Sequence, residues 1–216
     1  MSPSLRFAVE CLKTAFARFR AAAAPSLWVG LLYFALTMGL QWVASIRLWH
    51  GRLPVILAIL LCQGLVGILI VGLARFFLTL SDGKPPDFLE LFDGFRAPWK
   101  ILSGTLFGWL IGTFVLLVMM TLGKAPLALL LLLGFLPLVM FGPFLIADGA
   151  VSQVLDAFLL SFRLGISHYT QALAVAILLV GLVEIGALLI VGTLVSIPLC
   201  YTMTAVAYRS LFSESR

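Results

Sequence analysis

The sequence predicts an all-α, polytopic membrane bundle of six transmembrane helices, arranged as three repeats of a cytoplasmic amphipathic helix plus a transmembrane hairpin. Three observations carry this. Apolar residues make up 62% of the 216-residue chain and charged residues only 11%, against about 45–50% and about 25% in an ordinary soluble domain. The apolar residues gather in continuous runs long enough to cross a bilayer, which takes about 20 residues per helix. The basic residues fall almost entirely on one side of those runs. A soluble protein with a mean hydropathy of +1.17 would have too little polar surface to cover itself. The composition also excludes a disordered chain, a collagen and a disulfide mini-protein.

The chain opens on an amphipathic segment with an apolar stripe, Leu5, Val9, Leu12, Phe16 and Phe19, and with Arg6, Lys13 and Arg20 beside it at a spacing of seven. Such a helix suits a membrane surface: the stripe lies among acyl chains while Arg and Lys snorkel to phosphates. Charge runs throughout the segment, so Ala21 to Ala24 is not read as the cleavage site of a signal peptide. An Arg-rich, acid-poor mitochondrial presequence is the runner-up reading.

The first span runs from Pro25 to Ile46, the second from Leu53 to about Leu80, the third from Pro98 to Leu122 and the fourth from Ala125 to Ala147. Tyr169 to Tyr208 is nearly all apolar. As one helix it would be about 60 Å long, roughly twice the hydrocarbon thickness. It must fold back, with Gly186 and Gly192 bracketing the turn, and the count reaches six. The runs do not alternate apolar with polar, so an outer-membrane barrel is not expected.

With the N-terminus in the cytoplasm, only Arg47, Arg52 and Lys124 of the 14 Lys and Arg residues fall outside. The imbalance sets both termini in the cytoplasm of a bacterial inner membrane. The basic excess is thus read as topology and as attraction to anionic lipid, with no nucleic-acid partner.

A threefold repeat underlies this layout. Phe16-Ala-Arg-Phe19-Arg20, Phe92-Asp-Gly-Phe95-Arg96 and Leu159-Leu-Ser-Phe162-Arg163 each precede a hairpin. Leu12, Phe88 and Leu155 sit four residues before the first member and complete one helical face. The chain is a single integral membrane domain over residues 1–216, with repeat units of about 4–80, 86–147 and 152–212. Arg6, Lys13, Arg18, Arg20, Arg96, Lys100 and Arg163 form the expected surface for lipid or a protein partner.

Several features bear on function. Glu184 is the one deep carboxylate, and ionisable residues at such depth usually face the bundle interior or water. Gln41 and Gln63 lie at depths that allow a polar cluster with it; the alternative is a protonated Glu184, or one reached by water at the short outer turn. Arg75 and Asp148 sit at inner helix ends and form a candidate pair, or each meets head groups or water alone. Gly104, Gly108 and Gly112 form a glycine seam that either packs inside the monomer or seats a partner or a second copy. The fourth span carries Gly134, Pro137, Gly142 and Pro143. They mark either a structural kink or the kind of broken helix at which transporters bind substrate.

No catalytic constellation is found. His50 and His168 lie at opposite boundaries, Cys11, Cys62 and Cys200 lack metal-ligand spacing, and no cofactor or metal is expected. Asp82, Asp87, Glu90 and Asp93 read as a solvated acidic face.

The Asp148-Gly149 end of span four, the Ser161-Phe162-Arg163 helix and the closing Ala207-Tyr208-Arg209-Ser-Leu211-Phe212 give the chain a resemblance to bacterial six-span membrane proteins of unknown function. These are the YciC-like group and the membrane domain that precedes some glycerophosphodiester phosphodiesterases. That likeness implies a cytoplasmic-membrane protein without a catalytic site of its own, and the phosphodiesterase domain is missing. Two functions follow as expectations. One is a non-enzymatic protein that organises lipid or serves as a scaffold subunit, with anionic lipid, a protein partner or a second copy on its inner face. The other is a small transporter or channel centred on Glu184 and the broken fourth helix.

Overall fold

The computed structural model of the chain describes residues 2–45, 52–120, 133–151, 153–188 and 192–214. Every regular element among them is helical. Helix α1 covers Pro3–Ala21, α2 Ala23–Ser45, α3 Arg52–Ser81 and α4 Pro98–Met120, with a 3-10 helix at Phe88–Phe95 between α3 and α4. A helical stretch over 133–139 turns at Met140 and Phe141 into α5, Gly142–Asp148. Helices α6 (Val154–Ser167), α7 (Tyr169–Leu188) and α8 (Gly192–Glu214) complete the chain.

The ends of α1 follow local chemistry. Ser2 accepts the Leu5 N–H on its hydroxyl at 3.3 Å, and Pro3 fills the first helical position, where no N–H donor is needed. Ala22 then leaves helical geometry (φ −128°, ψ 40°) and redirects the chain into α2. His168 does the same between α6 and α7 (φ −118°, ψ 34°). An amphipathic helix thus meets a long apolar helix through the same backbone bend in two places.

Among the described residues, three helices are long and apolar enough to cross a membrane by length and composition: Ala23–Leu40, Ala58–Ser81 and Tyr169–Gly186. The chain is a membrane protein. Of these, the α3 window is 56% buried and the α2 window only 22%, so α3 is the central post and α2 lies at the periphery. α2 turns Trp28, Leu31, Leu32, Met38 and Trp42 outward.

Close backbone approaches hold the post to its neighbours. A Cβ on Gly67 would collide with the carbonyl of Gly104 and the backbone of Gly108, and one on Gly108 with the carbonyl of Gln63. α3 and α4 therefore touch backbone to backbone. Below this seam the 3-10 helix presses on α3: a Cβ on Gly72 would collide with the Leu91 carbonyl, and one on Gly94 with that of Ile68.

The core is concentrated where α3, α5 and α8 approach their C-terminal ends, and Phe76, Phe77, Phe144, Leu145, Met203 and Tyr208 are fully buried there. Tyr208 stacks on Phe144 at 6.1 Å and on Phe212 at 5.2 Å between ring centroids. Two α8 hydroxyls bond back to their own helix: Thr202 donates to the Pro198 carbonyl at 2.7 Å and Thr204 to the Cys200 carbonyl at 2.8 Å.

Some sequence expectations change here. The second surface segment forms a 3-10 helix, not an α-helix. With three residues per turn, Leu91 and Gly94 face α3, Leu89, Phe92 and Phe95 face outward, and Glu90 and Asp93 share the third side. Gly186 and Gly192 bracket the change of helix, with Gly192 opening α8 and Gly186 two residues inside the end of α7, where it packs on Ser196. The first stripe divides. Phe19 is buried with Ala8, Cys11 and Ala15 against the bundle, whereas Leu5 and Phe16 remain exposed. Small side chains on one face let α1 approach α8 and α7 closely, and Phe19 fills the end of that contact.

Candidate functional site

Two regions gather the informative residues: an ionic knot at the C-terminal ends of α3, α5 and α8, and an apolar cleft beside it.

The knot begins with helix termini. α3 ends in Asp82-Gly83 and α5 ends in Asp148-Gly149, and both glycines are left-handed (φ 76° and 70°). Glycine takes this conformation without the steric cost of a Cβ, and the turn lets N–H groups meet the last carbonyls. Gly83 N–H bonds to Leu80, and Lys84 N–H to Thr79. Each aspartate therefore sits at the negative end of a helix dipole, where a carboxylate is disfavoured without a cation. Arg209, near the end of α8, supplies it. Its Nε and Nη2 each lie 2.9 Å from an oxygen of Asp82, and its Nη1 lies 2.9 Å from Asp148 Oδ2. Tyr208 donates its phenolic O–H to the same Asp148 oxygen at 3.2 Å. Burial works to lower the Arg209 pKa, but the hydrogen bonds and charges of Asp82 and Asp148 together outweigh it and raise it.

This corrects the expected Arg75–Asp148 pair. Asp148 is bound by Arg209 and Tyr208, and Arg75 instead exerts its charge on Glu90. Sequence reasoning missed Arg209 as the partner. The available signal was the matching Asp-Gly pair at the C-terminal ends of two helices, with an arginine near the end of a third.

The acidic segment is a solvated face only in part: Asp82 and Asp87 are exposed, Glu90 is half-buried and Asp93 is not exposed. Asp93 is buried and pairs with Lys100, with Arg96 at 3.5 Å. Asp87 caps the 3-10 helix by accepting the Leu89 N–H at 3.0 Å. Thr79 donates to Glu90 Oε1 at 3.0 Å, while the buried Oε2 makes no hydrogen bond. Burial pushes the Glu90 pKa up, and the Thr79 bond and Arg75 oppose it. Lys100 is accordingly a structural cation rather than part of the exposed basic surface. Arg6, Lys13, Arg18, Arg20, Arg96 and Arg163 are exposed.

The cleft has a volume of about 470 Å³. The break at Met140 and Phe141 opens onto it, with Leu136, Val139 and Pro143 in its wall. Phe114 and Phe135 stack at 4.5 Å along another side. α7 contributes Leu179, Val180, Val183 and Glu184, and α8 contributes Cys200, Tyr201 and Thr204. Glu184 is thus on the cleft and exposed. Gln63 is not among the lining residues; its carbonyl faces Gly108 in the α3–α4 seam. The surroundings of Gln41 and Gly112 lie outside the described residues. Gly104 and Gly108 face α3 of the same chain.

Among the described residues, no three His, Cys, Asp or Glu side chains gather where they could hold a metal ion. No protein-family model matches the chain, and no curated protein or solved structure matches it significantly.

Proposed function

We propose that the chain is a non-enzymatic, six-span protein of the bacterial cytoplasmic membrane that organises lipid at the inner face. Its termini are cytoplasmic, and its units are three surface helices, each followed by a hairpin. The single observation that carries this is the division of α1 into faces. Ala8, Cys11 and Ala15 are buried against the bundle, the exposed Leu5 and Phe16 stand to one side, and Arg6, Lys13 and Arg20 border them. A helix bound to the bundle by one face and still carrying an exposed apolar stripe edged with cations fits the boundary between acyl chains and phosphates. Leu155, Leu159, Phe162 and Ile166 are exposed in the same manner on α6, beside Arg163. The matched bends at Ala22 and His168 support the repeat, as do the matched Asp-Gly ends of α3 and α5. The likeness to YciC-like proteins belongs to the same proposal.

The test is charge reversal of Arg6, Lys13 and Arg20 to Glu in protein reconstituted beside anionic vesicles. Vesicle association should fall steeply, because each basic residue near an anionic surface contributes about 1 kcal/mol. Unchanged association would count against lipid organisation by α1.

A second reading, a small transporter, is favoured by the cleft that reaches Glu184 at the broken helix. It requires Glu184→Gln to abolish solute flux in proteoliposomes.

A further inference from the structure

We propose that the cleft holds one acyl chain of an outer-leaflet phospholipid whose head group carries a protonated amine, with Glu184 as the head-group partner. This rests on the reading of the chain as a lipid-handling membrane bundle and deepens it by naming a lipid class and a seat.

The lining decides against a water-filled path. Phe107, Phe114, Phe135, Val139, Phe144 and Val180 give a hydrated solute nothing to bond to. The Thr204 hydroxyl is already engaged with the Cys200 carbonyl. The volume of about 470 Å³ falls in the range of pockets that enclose small-molecule ligands. A flexible hydrocarbon chain meets these conditions without desolvating any polar group.

Direction follows from where the polar groups stand. Glu184 lies fifteen residues beyond Tyr169, roughly 22 Å along α7 from its inner end. Thr204 lies five residues before Arg209, which places the lower end of the cleft just above the ionic knot. A chain entering beside Glu184 points its methyl end inward. At the open end, Glu184 and the neighbouring Val183 are both exposed. A carboxylate there attracts an ammonium head and repels a head whose only charge is phosphate; a charge-assisted hydrogen bond in a poorly hydrated setting discriminates strongly.

The experiment is competitive retention. The full chain is reconstituted in nanodiscs containing equal parts phosphatidylethanolamine, phosphatidylcholine and phosphatidylglycerol with identical acyl chains. It is then extracted in mild detergent, and the retained lipid is counted by native mass spectrometry. One lipid per chain is expected, with phosphatidylethanolamine in excess. Phosphatidylcholine carries a cation without an N–H donor and reports the hydrogen-bonding part. Glu184→Gln should lower the phosphatidylethanolamine excess about tenfold. Val180→Trp, which fills the cleft, should remove the retained lipid; if that variant does not fold, Val139→Phe fills the opposite wall. Equal retention of the three lipids, or an unchanged preference in Glu184→Gln, overturns the proposal. The α1 charge-reversal variant should keep its retained lipid, so failure at the surface helix and failure at the cleft are read separately.

Discussion

Arg209 and Asp148 join the ends of α8 and α5, Nη1 to Oδ2 at 2.9 Å, and the same guanidinium holds Asp82 at the end of a third helix, α3. The arrangement closes one end of the bundle. It also places a cation against two carboxylates that would otherwise each oppose a helix dipole.

Arg209→Ala should lower stability by about 1–2 kcal/mol, since it leaves the half-buried Asp148 without its cation while Asp82 keeps access to water. Arg209→Lys should recover little of this, because an ammonium cannot supply the bidentate fork to Asp82. Thermal unfolding in detergent, read against an Asp148→Asn and Arg209→Ala double-mutant cycle, checks the coupling. A coupling energy near zero would show that the knot is ornamental.

The α3–α4 seam predicts a sharp contrast among glycines. Gly67→Ala and Gly108→Ala drive a methyl group into backbone, which cannot move aside as a side chain can. Each should cost about 1–3 kcal/mol or more. Gly39→Ala in α2 meets nothing within 4 Å and should be neutral or stabilising by up to about 1 kcal/mol, from helix propensity. Melting temperatures of the three variants side by side decide this.

Glu90 predicts a pH dependence. Its pKa in the folded protein is raised, chiefly by burial, with Asp87 and Asp93 adding to the rise and Thr79 and Arg75 opposing it. The folded state therefore holds the proton over a pH range in which the unfolded chain has released it. Stability is fully present below the ordinary glutamate range and falls as pH rises through the folded value. Glu90→Gln should flatten this part of the profile and raise the melting temperature at neutral pH. Scans across roughly pH 4 to 8 measure it, and a profile unaltered by the substitution would remove Glu90 as its cause.

Topology can be read with cysteines. Ser2→Cys and Ser213→Cys should react with a membrane-impermeant maleimide only from the cytoplasmic side, and Lys124→Cys only from outside. Native Cys11 should stay unlabelled at either face while the protein is folded. It is 4% exposed, and burial, with a smaller effect of Glu10, pushes its thiol up to about 12. Labelling of Ser2→Cys from outside would invert the proposed orientation.

The legible and illegible parts of this protein divide along one physical line. Long apolar runs, prolines and Asp-Gly pairs act locally, through hydrophobic transfer and backbone stereochemistry, so they can be read in one dimension. Pro3 opening α1 and the break before Pro143 are of this kind. The glycine spacing on α4 marked a close approach, but Gly67 on α3 was needed to show what approaches. Electrostatic partners were harder. Arg75, Asp148 and Arg209 all lie toward the C-terminal ends of their helices, and sequence position alone cannot say which ends meet. Only packing chose Arg209, because the aromatic cluster of Phe144, Tyr208 and Phe212 seats α8 against α5. The sequence by itself determined that the chain is a helical membrane protein. Tertiary structure decided which face of α1 is buried, which carboxylate meets which cation, and that a cleft reaches Glu184. Side-chain spacing fixes what a helix can offer, but contact between helices more than a hundred residues apart depends on how the bundle closes.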